Sequence, residues 1–121
     1  MLVAFAVAVA SGVGGLTRYG LSNLVHGDDL PWMTVAINVS GSFLLGMLLV
    51  VPASWIDEGT RSALGVGFLG GFTTFSTFSA QAFLDLEAGE PARAALYISA
   101  SVVLGIAAAA TGYYAGRGLM H

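Results

Sequence analysis

The residues Gly70-Gly71-Phe72-Thr73-Thr74-Phe75-Ser76-Thr77-Phe78 interrupt a long apolar stretch with paired glycines, hydroxyls and phenyl rings. In lipid, backbone groups released from a helix need partners, so interrupted helices occur where protein or a water-filled path covers them. Carbonyls that end the first half of such a break suit a cation, and amides that begin the second half suit an anion. Phe75 and Phe78 are three residues apart and share a helix face. A lone ring in a membrane helix is more often core or lipid-facing. Here the neighbours Thr73, Thr74, Ser76, Thr77 and Ser79 shift the reading toward a site. Ring edges carry partial positive charge, so rings and hydroxyls together can meet a small anion without a full countercharge. The chemistry is ion or solute coordination.

Other polar residues fall where lipid-facing side chains are expected. Asn38, in Asn38-Val39-Ser40-Gly41-Ser42, has an amide whose donors and acceptor need partners in a dry environment. Either it makes an interhelical hydrogen bond, usually worth about 1 kcal/mol or less, or it donates to a passing anion. Arg18, in Gly14-Gly15-Leu16-Thr17-Arg18-Tyr19, lies near a helix end, from which it can snorkel. Anchoring to a neighbouring backbone and attraction of anions at an entrance both fit it. Tyr97 and Ser101 share a face at spacing four, with Ser99 beside them. His26 and His121 lie in a turn and at the chain end, and no triad or metal-ligand spacing occurs. An enzyme is not expected. No carboxylate is expected deep in a helix, which argues against proton-coupled transport.

These residues must be positioned by membrane helices. The 121 residues are 56% hydrophobic and 9% charged, with mean hydropathy +0.82, against about 25% charged in soluble domains. There is no Cys, which excludes disulfides and thiolate metal sites, and a net charge of -3 excludes a nucleic-acid surface. An uncleaved N-terminus is expected, because no positive residue precedes its apolar run. A crossing takes about 20 apolar residues. The pattern predicts one all-α domain over residues 1–121, with helices over about 2–25, 31–51, 61–86 and 92–114, the third broken near its middle. Pro31 suits a first helical turn, and Trp32 and Trp55 suit the headgroup level. Gly67/Gly71, Ser42/Gly46 and Gly112/Gly116 permit close backbone approach, within the chain or between subunits. Arg61 and Arg117 fall on one side, Arg18 and Arg93 on the other. That tie removes the usual bias in orientation and permits insertion both ways, hence an antiparallel dimer.

Together these residues resemble the Fluc (CrcB) fluoride channel family over nearly the whole chain. The likeness rests on Gly14-Gly15-x-x-Arg18-Tyr19, on Asn38-x-x-Gly41-Ser42-Phe43-x-x-Gly46, and on Gly67-Phe68-x-Gly70-Gly71-Phe72-Thr73-Thr74-Phe75-Ser76-Thr77-Phe78. The third motif is the most specific. The resemblance implies a dual-topology antiparallel homodimer in the cell membrane that passively exports fluoride from the cytoplasm. It implies a fluoride path lined by Asn38, Phe75, Phe78, Tyr97 and Ser101, with Thr34 and Ser42 beside them and Arg18 near the entrance. It also implies a structural Na+ held by backbone carbonyls of Gly70 and Thr73. Gly105, one turn past Ser101, stands where some relatives place a hydroxyl, so a polar track on helix 4 is in doubt beyond Ser101. Two rivals stand beside this reading. A small multidrug-type transporter would want an intramembrane Glu, which helix 1 lacks. A structural subunit of a membrane complex would leave Asn38 and the hydroxyl-aromatic run without a role.

Overall fold

The computed structural model describes all residues, Met1–His121, and is entirely helical. Helix α1 spans Leu2–Ser22 and α2 spans Leu30–Leu48. The third segment is assembled from pieces: α3 (Glu58–Ser62), a π-helical stretch (Ala63–Leu69) and α4 (Gly70–Phe72), then extended Thr73 and Thr74, then α5 (Phe75–Glu87). Helix α6 closes the chain over Pro91–Met120. Three helical stretches are long and apolar enough to cross a membrane: Leu2–Ser22, Gly27–Leu48 and Pro91–Met120. The expected third crossing is not among them because the break divides it.

The boundaries depart from the sequence reading for local reasons. Helix α1 ends at Ser22 rather than near residue 25, ahead of Gly27, whose φ of 59° no helix continues. The third segment starts earlier than residue 61, because Asp57 caps α3 by accepting the Thr60 amide at 2.7 Å. Helix α5 contains Asp85 in its last turn. That helix runs to Glu87 and closes on Gly89 (φ 77°), with the Glu90 amide reaching back to the Asp85 carbonyl at 2.9 Å. Helix α6 passes through Gly116 and Gly118 to Met120, because glycine costs a helix only about 1 kcal/mol.

Two parallel helix pairs make up the packing. Helix α1 lies along residues 58–72, where Gly67 meets Val7 and Ala10, and Gly71 meets Ser11. Helix α2 lies along α6, where Gly46 meets Ala109 and Gly112 meets Phe43. A Cβ on Gly46, Gly71 or Gly112 would overlap a carbonyl oxygen of the facing helix. The small-residue pairs therefore serve packing within the chain. A small cluster of Val35, Ala82 and Tyr97, with Val39 and Phe78 against it, joins α5 to the α2–α6 pair.

Candidate ion site at the helix break

The break is held open by side chains from α1 and α2. Normally the Thr74 amide would close the next helical turn on the Gly70 carbonyl. Instead it donates to Asn38 Oδ1 at 2.8 Å, while Asn38 Nδ2 donates to the Thr74 carbonyl at 3.0 Å. Asn38 thus pairs with Thr74 as one peptide group pairs with another, and the Gly70 carbonyl loses its helical donor. One Nδ2 proton remains unused by this pair. Thr74 then starts the second half. Its Oγ1 accepts the Thr77 amide at 3.2 Å and donates to Thr77 Oγ1 at 3.0 Å, so α5 begins with an N-cap.

Helix α1 supplies donors to the other side of the break. Ser11 Oγ donates to the Gly67 carbonyl at 3.2 Å, and Arg18 Nε donates to the Gly71 carbonyl at 3.3 Å. This is how a membrane interior tolerates irregular backbone: side chains satisfy the carbonyls that the π turns and the break disturb. For Arg18 the geometry supports anchoring. Thr73 stays within the first half, its amide and its Oγ1 both donating to the Leu69 carbonyl, at 3.0 and 2.9 Å.

Beside the break lies a cavity of about 350 Å³. Its wall contains Asn38 and Ser42 from α2, Gly70 and Thr73 from the first half, Phe75 and Phe78 from α5, and Ser101 from α6. Thus residues far apart in the chain, singled out for their chemistry, converge. Ser101 Oγ is buried there without a hydrogen-bond partner, and Asn38 has its spare donor. The Asn38 donor is a neutral polar group aimed at no other residue, and the Ser101 hydroxyl lies just beneath the cavity wall. Ser42 Oγ stands 3.9 Å from where a Cβ on Gly105 would lie. Phe75 is 79% exposed, so the phenyl ring bordering the cavity is open on one side.

Arg18, Thr34 and Tyr97 are not in the cavity wall. Tyr97 and Thr34 lie behind it, fully buried. Rings connect them to the wall: Phe75 to Phe78 at 5.8 Å between centroids, Phe78 to Tyr97 at 5.2 Å, and Tyr97 to Trp32 at 6.2 Å. The Tyr97 hydroxyl donates to Gln81 Oε1 at 2.8 Å. Sequence reasoning missed Gln81. The available signal was an amide on the Phe78 face of α5, one turn further along.

Similarity to known proteins extends over nearly the whole chain. The family described as CrcB-like protein, Camphor Resistance (CrcB), matches residues 5–113. A protein of Methylobacterium sp. (strain 4-46) is 44% identical over 93% of this chain and 94% of its own length. One from Geobacter sulfurreducens is 41% identical over 98% and 100%, and one from Thermus thermophilus is 42% identical over 94% of each. Each of the three is named a fluoride-specific ion channel, FluC.

Proposed function

The chain belongs to the CrcB-like family, and on that premise we propose that it is a fluoride-specific channel of the cell membrane, exporting fluoride passively from the cytoplasm and so limiting its toxicity. The observation that carries this is the convergence of Asn38, Ser42, Phe75, Phe78 and Ser101 on one cavity at the helix break. Fluoride is small and strongly hydrated, so several close donors must replace its water. A full charge at mid-depth would hold the ion, whereas conduction requires that it also leave. The Asn38 amide, the serine hydroxyls and the phenyl edges supply neutral attraction. Thr34 and Tyr97 act from behind, Tyr97 by fixing the Phe78 ring, and Arg18 acts from the far side of the break.

The carbonyls freed at the break fit a hard cation, which takes oxygen ligands. Gly70 and Thr73 line the cavity, and Gly70 has lost the Thr74 amide to Asn38. These two carbonyls would hold a structural Na+, which when bound supplies fixed positive charge beside an anion path. The active form is an antiparallel homodimer of four-crossing subunits, the broken segment being the third crossing. The exposed Phe75 ring and the cavity's open side support a partner there, as does the even split of the four arginines.

Fluoride efflux from liposomes containing the purified protein tests the reading. Efflux is expected with Na+ on both sides and chloride excluded; no fluoride flux under those conditions overturns it.

A further inference from the structure

A charged cluster at the α5–α6 turn lies in line with the cavity. On α5, Phe78, Gln81 and Asp85 follow at spacings of three and four and so share a face; on α6, Arg93 and Tyr97 do so at spacing four. The helices fold back on each other across Gly89, and the two faces meet rung by rung. The Phe78 ring meets Tyr97 at 5.2 Å, Gln81 accepts the Tyr97 hydroxyl at 2.8 Å, and Asp85 Oδ1 lies 3.8 Å from Arg93 Nε. Past the last rung, Arg93 Nη2 reaches Asp28 at the α1–α2 turn, 2.9 Å from Oδ1 and 3.4 Å from the carbonyl. A row of side chains that starts in the cavity wall ends in a guanidinium between two carboxylates.

We propose that Arg93 is the anion-collecting charge at one mouth of the path, and that Asp85 sets how firmly it holds what it collects. The inference rests on the fluoride reading above. The Arg93 side chain is 32% exposed, within reach of an ion in water, and it is the cation that continues the Phe78–Tyr97 row. Its two carboxylates differ. The Asp28 side chain is 90% exposed, where water and salt weaken its pull. The Asp85 side chain is 15% exposed, and its Oδ2 is buried without a hydrogen-bond partner. An unpartnered buried carboxylate oxygen is costly, and the single contact of Asp85 with Arg93, at 3.8 Å, offsets that cost only in part. Its charge is felt on the enclosed side of Arg93. The exposed part of the guanidinium attracts anions locally and speeds their capture, an effect that fades with salt. A cation alone at that place would also retain fluoride, and the buried carboxylate weakens the hold.

The test is fluoride efflux from liposomes across a range of fluoride concentrations, at low salt and at about 1 M impermeant salt, where screening acts over about 3 Å. Arg93→Gln is expected to raise the half-saturating fluoride concentration at low salt by about threefold or more, and Arg93→Lys to leave it near wild type. Asp85→Asn is expected to lower it by a similar factor and to reduce the maximal rate. The Arg93→Gln shift should collapse at high salt, and the Asp85→Asn shift, arising on the enclosed side, should shrink less. Asp85→Asn changes charge without changing volume, so it carries the test alone if Arg93→Gln does not fold. Unchanged half-saturation in the folded variants, or an Arg93→Gln shift undiminished by salt, overturns the assignment while leaving the channel reading intact. Absence of flux in the wild-type protein overturns both.

Discussion

Asn38 behaves as a substitute peptide group, and that sets what replaces it. Aspartate retains the oxygen that accepts the Thr74 amide but turns a second oxygen toward the Thr74 carbonyl, where Asn38 Nδ2 now donates. Asn38→Asp is therefore expected to abolish fluoride flux and to lower the thermal midpoint in detergent. Asn38→Ala leaves two backbone groups unpartnered and is expected to cost about 1–3 kcal/mol, measurable by the same melt. Asp57 supplies a pH-dependent contribution. The Thr60 amide it accepts holds its carboxyl below the usual carboxylate range. A lowered folded-state value means the stabilisation is complete above about pH 4, the ordinary aspartate value, and fades as pH falls through the folded value. The difference in thermal midpoint between wild type and Asp57→Ala should thus be largest near neutrality and vanish in strong acid. At this scale the sequence reveals that Asn38 is polar at depth, but not its partner, which lies 36 residues away. Gln81 is hidden for the same reason: its significance comes from Tyr97 on another helix, 16 residues on.

Among the elements, the break is legible because glycine pairs and hydroxyls are locally incompatible with a lipid-facing helix. The π stretch over Ala63–Leu69 is not, since its composition suits an α-helix equally and the wider turn depends on Ser11 and the packing of α1. The length of α6 is hidden because Gly116-Arg117-Gly118 resembles a stop. In the fold, Gly116 seats against Val50 and Met47, at and just beyond the end of α2, and that contact keeps the helix going. The small-residue pairs show the right spacing without saying what they face. They face elements of the same chain, which makes substitution there a matter of folding and not of assembly. Gly46→Ala or Gly112→Ala drives a methyl into a facing carbonyl and is expected to cost about 1–3 kcal/mol, seen as loss of folded protein in mild detergent. Gly12→Ala meets nothing and, by removing a glycine from the interior of α1, should raise the melt slightly.

The whole molecule divides into two parallel pairs, α1 with residues 58–72 and α2 with α6, and the site lies where they adjoin. Its composition gives a clean handle on the proposed antiparallel partner, because the chain has neither Cys nor Lys. A single cysteine at exposed Ser54 should react with an impermeant maleimide from both sides of the membrane, about half from each; labelling from one side only would contradict dual topology. The π turns bear on the molecule in a further way. A helix that widens for seven residues is out of step with an α-helix of the same sequence, so the direction in which Gly70 and Thr73 present their carbonyls depends on how many residues precede them. Deleting one residue between 63 and 69 would let the turns relax to ordinary α-helix with the break still in place, because the wide turns hold about one residue more than an α-helix of the same sweep; deleting two would exhaust that slack and rotate the break by about 100° about the helix axis. Every side chain named at the site would survive such a deletion, yet Asn38 would no longer meet Thr74. The chain thus encodes the site partly as a tally of positions, and a frame-preserving loss of two codons there would be more damaging than most changes of identity.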